Sequence, residues 1–418
     1  MFQPAPPPPT KLGVLRVLSP NAGAHVSPFC LGAMSVGDKW SGVMGSMDKE
    51  SSFKLLDAYF DMGGNFIDTA NNYQGESSEQ FIGEWMEKRG IRDQIVVATK
   101  YTSNFKRGND SIAQKANYTG NNTKSMHISV EASLKKLRTS YIDLLYVHWW
   151  DYDTSVKEVM DSLHTLVMQG KVLYLGYEEN VKESPGLHYD ARALPTLRRA
   201  LSTLYRRRGT RQEGISDTPA WVVAQANEYA RCMGKTPFVV YQGLWNVLDR
   251  SFERDILPMA RSLGLALAPW NVLGAGKFRT DAEEQRRKES GENGRTMLSQ
   301  DWQRTEAEVK VSRALEKVAS EVGLGDNITA VAIAYVMYKT PYVFPIIGGR
   351  KVEHLKANLQ ALDIVLTEEQ IQFLESVVPF DPGFPHTFFG DGTKPFFGML
   401  NAMLYKKVQP SQPIKPTD

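Results

Sequence analysis

The sequence predicts a (β/α)8 TIM barrel, in which eight parallel strands alternate with eight helices, with extended loops and a C-terminal tail on the active face. Short apolar runs alternate with amphipathic segments along most of the 418 residues. Alternation of this kind within one domain favours a closed barrel. A doubly wound sheet would require a Gly-x-Gly-x-x-Gly turn after the first strand, whereas this chain has Leu31-Gly32-Ala33-Met34.

The predicted strands are apolar runs rich in Val, Ile, Leu or Phe. They lack polar alternation, as expected for parallel strands that are buried on both faces. In chain order they are Phe29–Met34, Asn65–Thr69, Gln94–Lys100, Ile142–His148, Val172–Gly176, Val239–Gly243, Leu265–Trp270 and Val343–Gly348.

The predicted helices are the amphipathic segments between these strands. Lys49–Met62 follows Asp48 and ends at Gly63-Gly64, which are start and stop signals of the expected kinds. The other predicted helices are Ser77–Lys88, Ser125–Leu137, Thr154–Met168, Pro219–Met233, Glu253–Leu263, Asn327–Lys339 and Lys351–Leu362.

Three segments fall outside this alternation: an N-terminal arm, a polar stretch within the barrel domain and a C-terminal tail. Residues 1–23 are predicted as the loose arm and residues 380–418 as the tail, while residues 24–379 form the predicted barrel. The polar stretch Arg279–Arg304 suits a long loop over the active face. The tail contains six phenylalanines, so it could either wall an apolar pocket or pack on the barrel exterior.

The composition is that of an ordinary globular protein, with 42% hydrophobic residues, 23% charged residues and a formal net charge of +2. This near balance gives no reason to expect nucleic acid or an acidic membrane as a partner. Cys30 and Cys232 give neither a disulfide framework nor metal spacing. Because no apolar stretch approaches the roughly 18 residues of a membrane helix, we expect a soluble protein, and the two separate thiols suit the cytoplasm. We further expect a monomer or weak homo-oligomer without a metal.

Four side chains suited to proton transfer converge on one end of the predicted barrel. Asp68, Lys100 and His148 lie at the C-terminal ends of the second, third and fourth strands, and these ends form the active face. Tyr73 follows five residues after Asp68. Carbonyl reduction needs a hydride at carbon and a proton at oxygen, and a phenol with a pKa near 10 gives up its proton more easily beside an ammonium.

The catalytic interpretation gives each of these groups a role. Tyr73 donates the proton, Lys100 lowers the pKa of Tyr73, Asp68 orients Lys100, and His148 places the carbonyl. Each side chain also has a structural interpretation: Asp68 could cap a turn, Lys100 could lie on the surface, and His148 could be a buried core histidine. Their joint occurrence at matching positions of one strand pattern favours catalysis.

The segment Phe66–Tyr73 resembles the aldo-keto reductase signature around the catalytic Asp and Tyr. Val97–Lys100 and Tyr141–His148 are similar to the family's Lys and His segments. The resemblance extends from about Leu31 to Ala361 and is strongest to fungal aryl-alcohol dehydrogenases and norsolorinic acid reductase-like enzymes. It implies reversible, NADPH-dependent reduction of an aromatic aldehyde or aryl ketone, in fungal secondary metabolism.

The resemblance also implies where NADP(H) binds. Ser216, Asp217 and Gln242 match the positions that hold the nicotinamide carboxamide, although Asp217 replaces the more usual Asn. Trp270 matches the ring that stacks on the nicotinamide, and Asn271–Lys277 resembles the pyrophosphate loop. The implied cofactor contacts are Ser216, Asp217, Gln242, Trp270, Asn271, Leu273, Gly276, Lys277, Gly348, Arg350, Lys351, His354 and Asn358.

The last βα unit has a phosphate-binding pattern of its own. A glycine turn at Gly348 opens a helix, and helix N-termini attract anions. Arg350 and Lys351 add charge for a 2′-phosphate, which favours NADP(H) over NAD. The family often has Gln and Glu where His354 and Ala357 stand. On the substrate side, Trp149 and Trp150 would favour flat, apolar molecules.

Residues 177–214 interrupt the family pattern between the fifth strand and Ser216. This Arg-rich stretch has no strand pattern, and structureless loops of this length are uncommon in compact domains. We hypothesise an intron translated in frame, because an intron that splits a Gly codon after its first base leaves glycine at both ends, as at Gly176 and Gly214. The alternatives are a genuine surface insertion or a basic docking loop. The insertion could leave this chain a weak or inactive isoform.

Two other functions fit the same barrel. A cofactor-sensing regulatory protein, like the potassium-channel β subunits, would bind NADPH without turnover. A hydrolase or isomerase would use Asp68 and His148 without nicotinamide.

Overall fold

The computed structural model describes residues 3–40, 47–178, 218–291, 303–408 and 411–415. A short hairpin, β1 (Arg16–Ser19) and β2 (Ala22–Val26), precedes the main sheet. The strands of the main sheet are β3 (Cys30–Gly32), β4 (Phe66–Asp68), β5 (Val96–Tyr101), β6 (Ile142–Val147), β7 (Val172–Glu178), β8 (Phe238–Leu244), β9 (Ala266–Trp270) and β10 (Ile346–Gly348).

These eight strands pair in parallel in the order β10-β3-β4-β5-β6-β7-β8-β9. The ring closes at Leu267 of β9, whose N–H donates to the carbonyl oxygen of Tyr342 at 2.9 Å and whose carbonyl accepts from the N–H of Phe344 at 2.8 Å. The predicted barrel and its eight strands are therefore confirmed. Strand bounds differ from the prediction by up to three residues: β10 begins at Ile346 instead of Val343, and β7 runs two residues beyond the predicted end at Gly176.

Helices surround the sheet. They are α1 (Lys49–Asp61), α2 (Ser77–Arg89), α3 (Thr123–Lys136), α4 (Val156–Met168), α5 (Ala220–Cys232), α6 (Ile256–Leu263), α7 (Asp281–Ser290), α8 (Glu306–Glu321), α9 (Ile328–Lys339), α10 (Val352–Leu359), α11 (Glu368–Val377), α12 (His386–Phe389) and α13 (Phe397–Leu400). All eight predicted helices are present, whereas α7, α8, α11, α12 and α13 were not predicted.

Local capping explains where several helices begin. The Asp48 carboxylate accepts from the N–H of Ser51 at 2.7 Å, and the Asn122 side chain accepts from the N–H of Ser125 at 2.9 Å. Each such cap satisfies a backbone donor that the first helical turn leaves unpaired. Thr305 forms a capping box with Glu308 at the start of α8, so this unpredicted helix did carry a start signal in the sequence.

Two apolar layers hold the barrel together. Phe66, Leu144 and Phe344 belong to the cluster that fills the barrel interior, while a larger cluster lies between the strands and the helices. The helices approach closely where they pack: a Cβ on Gly83 of α2 would lie 2.3 Å from the carbonyl oxygen of Lys136. Glycine is therefore required where α2 crosses the end of α3.

The N-terminal segment is not the loose arm that was predicted. The β1–β2 hairpin places Leu18, Ala22 and Val26 in the same buried cluster as the barrel interior. These side chains cover the N-terminal end of the barrel, so the burial of apolar surface orders the segment.

The stretch Arg279–Arg304 is not wholly a loop. Its first part forms α7, where the Thr280 side chain accepts from the N–H of Glu283 at 3.2 Å. Arg279 is buried and pairs with Glu284 at 2.5 Å. This internal ion pair, together with the cap, explains why so polar a sequence is helical, whereas residues 292–302 lie outside the described ranges.

The described part of the tail follows the outside of the barrel, which corrects its predicted place on the active face. The Arg254 side chain donates to the carbonyl oxygens of Pro382 at 3.0 Å and Asp381 at 3.1 Å, and it lies 5.3 Å from the centre of the Phe380 ring. Farther along, Asp391 interacts electrostatically with Arg261 in the last turn of α6. The phenylalanines of α12 and α13 pack against one another.

Among the described residues, no helix is both long and apolar enough to span a membrane. Within the same ranges, no group of three or more His, Cys, Asp or Glu side chains is arranged to hold a metal ion.

Candidate active site

The structure brings the four predicted side chains together at the C-terminal end of the barrel. The Lys100 ammonium lies 2.6 Å from the Asp68 carboxylate and 3.3 Å from the Tyr73 hydroxyl. The rings of Tyr73 and His148 meet edge to face, with centroids 6.0 Å apart. All four side chains are buried. A phenol, an ammonium, a carboxylate and an imidazole thus share one site.

The turn that carries Tyr73 has an unusual backbone. Gln74, Gly75 and Glu76 have φ values of 52°, 56° and 81°, and such left-handed conformations cost energy for residues other than glycine. Side-chain contacts hold the turn. The Gln74 side-chain oxygen accepts from the N–H groups of Lys39 at 3.0 Å and Trp40 at 2.8 Å, and Glu76 pairs with Lys106 at 2.6 Å.

A second set of contacts fixes the ion pair of Lys100 and Asp68. The ammonium also donates to the carbonyl oxygen of Thr69 at 2.8 Å, and the other carboxylate oxygen of Asp68 accepts from the Gln242 amide at 2.9 Å. Asp68 and Thr69 come from the end of β4, Lys100 from β5 and Gln242 from β8, so the barrel geometry itself sets these distances. A buried pair of this kind is stable because hydrogen bonds satisfy both charged groups.

The electrostatics of the site differ from one sequence-based expectation. Burial, and after it the charge of Asp68, raises the pKa of Tyr73 well above its ordinary value. The net shift is therefore opposite to the expected lowering by Lys100. Burial of the phenol is the larger cause, and the carboxylate of Asp68, which lies 2.6 Å from the ammonium, adds to it. Tyr73 is consequently fully protonated at neutral pH, as a proton donor must be.

His148 is a neutral imidazole at physiological pH. Burial, with a smaller effect from the Lys100 ammonium, holds its pKa well below 6.5. Its Nδ1 lies 3.2 Å from the Ser103 hydroxyl oxygen. The same oxygen accepts a hydrogen bond from the Trp149 indole N–H at 3.1 Å. His148 is thus buried and hydrogen-bonded, as its structural interpretation required, and it also stands beside Tyr73 as its catalytic interpretation required.

Aromatic side chains lie close to Tyr73 and to Ser103. The Trp40 ring meets the Tyr73 ring edge to face at a centroid distance of 6.1 Å, and Trp149 is half-buried beside Ser103. Trp150, which was also predicted to contact substrate, is not brought to this site. It packs into the apolar layer between strands and helices, near Val159 of α4 and Val222 of α5.

The next part of the mouth is built by β9 and β10. Trp270 ends β9, and the following Asn271, Gly274, Ala275 and Gly276 have left-handed backbone conformations. These residues form the tight turn that was predicted to be the pyrophosphate loop. After β10, a Cβ on Gly349 would meet no atom within 4 Å, so space is open in front of the first turn of α10.

The chain has extensive similarity to known proteins. The family model for the aldo/keto reductase family matches residues 28–182 and 188–379. The chain belongs to the aldo/keto reductase family. It is 58% identical over 420 residues to an aryl-alcohol dehydrogenase (NADP(+)) of Phanerodontia chrysosporium, covering 100% of this chain and 99% of that protein. As a member of this family, the chain is an oxidoreductase.

Two further relatives carry other names. The aldo-keto reductase ausK of Emericella nidulans is 50% identical over 390 residues, covering 93% of this chain and 88% of that protein. A norsolorinic acid reductase of Aspergillus flavus is 49% identical over 385 residues, covering 92% of this chain and 86% of that protein. The resemblance to aryl-alcohol dehydrogenases and norsolorinic acid reductases is thereby confirmed.

The predicted cofactor residues of this aldo/keto reductase have different surroundings. Gln242 is buried beside Asp68, and Arg350, Lys351 and His354 are exposed around the start of α10, while Asn358 is buried farther along that helix. Leu273, Gly276 and Lys277 lie in or beside the turn after β9. Ser216 and Asp217 lie outside the described residues.

Several contacts of the site could not be found from sequence motifs. Gln74 follows Tyr73 directly, but its role depends on the backbone of Lys39 and Trp40. Arg287 interacts electrostatically with His354, which shows that α7 lies beside α10. Both contacts join segments that are far apart in the chain, so no local sequence pattern predicts them.

Proposed function

We propose that the protein catalyses NADPH-dependent, reversible reduction of an aromatic aldehyde or aryl ketone to the alcohol. The observation that carries the proposal is the position of the Lys100 ammonium between the Asp68 carboxylate and the Tyr73 hydroxyl at the barrel mouth. The printed names of the relatives, an aryl-alcohol dehydrogenase (NADP(+)) and a norsolorinic acid reductase, support both the cofactor and the substrate class.

The described residues fit a phosphorylated dinucleotide. The open space at Gly349 leads to the N-terminus of α10, whose first turn has no side-chain cap and can offer backbone N–H groups to an anion. Arg350 and Lys351 are exposed at the same place and suit a 2′-phosphate. Trp270 and Gln242 would contact the nicotinamide end. When bound, NADPH supplies the hydride.

The side chains of the site handle the proton. Tyr73 donates its hydroxyl proton to the carbonyl oxygen, because the alkoxide that develops there is a stronger base than a phenolate. The Lys100 ammonium, 3.3 Å from the hydroxyl, stabilises the phenolate left behind. Asp68 keeps the ammonium in place. The neutral imidazole of His148 donates a hydrogen bond to the same carbonyl oxygen and thereby orients the substrate.

The aromatic surroundings support an aromatic substrate. The rings of Trp40 and His148 meet the Tyr73 ring edge to face, and Trp149 is hydrogen-bonded to the Ser103 hydroxyl next to His148. Flat apolar molecules gain both buried area and favourable ring–ring contacts in such surroundings. Relatives named norsolorinic acid reductase and ausK favour a role in fungal secondary metabolism.

The test is a screen of the full chain for NADPH oxidation. Benzaldehyde derivatives and aryl ketones are compared with straight-chain aldehydes, and NADH is tested beside NADPH. We expect turnover with aromatic carbonyls and a preference for NADPH. Tight NADPH binding without turnover of any carbonyl would favour the cofactor-sensing alternative instead.

The proposal extends to cellular location and assembly. Cys30 and Cys232 are both free thiols, which suits the reducing cytoplasm. We propose a cytoplasmic monomer or weak homo-oligomer, and gel filtration with light scattering measures the assembly.

A further inference from the structure

We propose that Ser103 is a positioning residue that fixes the tautomer of His148, so that the imidazole presents an N–H at Nε2 to the substrate oxygen. This inference rests on the proposed function, because it names a residue that prepares the proposed hydrogen-bond donor. It depends on the chain of contacts from the Trp149 indole through the Ser103 hydroxyl to His148 Nδ1.

The Trp149 indole sets the direction in which these hydrogen bonds are donated. An indole N–H can only donate, so the contact at 3.1 Å is a donation from Trp149 to the Ser103 oxygen. The Ser103 hydroxyl hydrogen then needs an acceptor. Among the described residues, His148 Nδ1 at 3.2 Å is the acceptor in contact with this hydroxyl. Ser103 therefore donates to His148.

His148 is neutral, so only one of its two ring nitrogens carries a hydrogen. A neutral imidazole carries one hydrogen, and the nitrogen that accepts a hydrogen bond is the one without it. Because Nδ1 accepts from Ser103, the hydrogen is on Nε2, at the other side of the ring. The opposite tautomer would present a lone pair to the carbonyl oxygen, and the two acceptors would repel each other.

The backbone of Ser103 is itself held in place. The backbone carbonyl oxygen of Ser103 accepts from the side-chain amide of Asn71 at 3.2 Å, and the same amide contacts the Ser129 hydroxyl at 3.2 Å. The preceding Thr102 has a φ of 96°, a conformation that is rare for residues other than glycine. Since the N–H of Asn71 also donates to the carbonyl oxygen of Lys100 at 3.1 Å, the hydroxyl that directs His148 is tied to the turn that carries Tyr73.

The kinetic test compares Ser103→Ala with Ser103→Thr, which keeps the hydroxyl. Loss of one hydrogen bond in the transition state corresponds to about a tenfold to hundredfold fall in rate. We expect Ser103→Ala to lower kcat by this factor without changing the KM for NADPH, and Ser103→Thr to retain most of the activity. Ser111→Ala, an exposed serine away from His148, serves as the matched control.

The direct test is nuclear magnetic resonance of the full chain with 15N-labelled histidine, in which the His148 signals are those missing from His148→Gln. We expect the hydrogen on Nε2 in the wild type and a mixture of tautomers in Ser103→Ala. Trp149→Phe should give a mixture too, because without the indole the hydroxyl is free to accept from Nδ1. Trp221→Phe, at an exposed tryptophan of α5, is its control.

Two results would overturn the inference: a hydrogen on Nδ1 in the wild type, or an unchanged tautomer and kcat in Ser103→Ala. If Ser103→Ala does not fold, Trp149→Phe decides the question. The tautomer is measured without substrate, so a failure of the proposed function, seen as no turnover of any carbonyl, is distinguishable from a failure of this inference.

Discussion

The two sides of the barrel mouth are built in different ways. On the side of β4, β5 and β6, Asp68, Lys100 and His148 lie at or next to strand ends, and Tyr73 lies in the turn after β4. The Lys100 ammonium forms hydrogen bonds of 2.6–3.3 Å there. On the side of β7, the chain passes from Glu178 to Thr218 through residues outside the described ranges. The groups proposed to transfer the proton thus come from short local segments, whereas the proposed nicotinamide side depends on the segment between β7 and α5.

The end of β7 is where the two sides meet. Glu178 stands in register with Gln242 of β8, and Gly176 lies against the Tyr146 ring, where a Cβ would come within 2.4 Å. Removal of Tyr177–Gly214 would join Gly176 to Ile215 and put Ser216 at the register position of Glu178, opposite Gln242. The hypothesis of a translated intron therefore predicts a complete carboxamide site in the shorter chain.

The strongest effect is expected on the side of β4, β5 and β6. Tyr73→Phe removes the proton donor but keeps the ring, so kcat should fall by a factor of about 10² to 10⁴. NADPH binding, followed by fluorescence, should persist. Tyr152→Phe, which changes an exposed tyrosine, should leave both quantities unchanged. Equal activity of Tyr73→Phe and wild type would remove Tyr73 from the mechanism.

Lys100→Met breaks the buried ion pair. It leaves the Asp68 carboxylate buried without its cation, which should lower the free energy of unfolding by about 3–5 kcal/mol. Urea denaturation measures this loss. The double variant Lys100→Met with Asp68→Asn should recover part of it, since no unpaired charge remains. Lys54→Met, at an exposed pair with Glu50, should leave the free energy of unfolding nearly unchanged, because exposed ion pairs contribute little.

Deletion of Tyr177–Gly214 tests the other side. We expect tighter NADPH binding and about a tenfold or greater rise in kcat/KM, because misplacement of a binding group costs substantial rate. The measurement is NADPH oxidation by both chains, together with sequencing of mature transcripts. Transcripts that all encode residues 177–214, or a deleted chain that is less active, would contradict the intron hypothesis.

The weakest effect is expected in the response of stability to acid. Burial holds the pKa of His148 well below 6.5 in the folded chain, so below about pH 6.5 the unfolded chain binds a proton that the folded chain does not. Stability should therefore fall with decreasing pH, by at most about 1.4 kcal/mol per pH unit from this group. Urea denaturation between pH 7 and pH 5 should show a smaller fall for His148→Gln.

The structural features that could be predicted from the sequence are those that depend on local or repeated patterns. The eight βα alternations were visible as apolar runs, and Asp68, Lys100 and His148 could be placed together because parallel strand ends meet at one edge. The capping box Thr305–Glu308 was an available signal that marks α8. The pattern could not show that Trp150 packs into the helical layer, since adjacent residues such as Trp149 and Trp150 differ in environment only through tertiary packing.

The effects of burial and of distant charges on pKa values also could not be predicted from the sequence. The raised pKa of Tyr73 is caused first by its burial and then by the charge of Asp68, and both exist only in the folded barrel. The roles of Gln74 and Ser103 likewise depend on neighbours from other loops. The location of the tail could not be predicted because its phenylalanines pack with one another and Arg254 binds its backbone.

The most direct test of the proposed mechanism is a single turnover with an aromatic aldehyde and NADPH that carries deuterium in place of both hydrogens at C4 of the nicotinamide, analysed by mass spectrometry. We expect the wild-type product to carry deuterium at the carbinol carbon, while Tyr73→Phe binds the labelled cofactor and leaves the label on it. A labelled alcohol formed equally fast by Tyr73→Phe, or a wild-type product without the label, would contradict the mechanism.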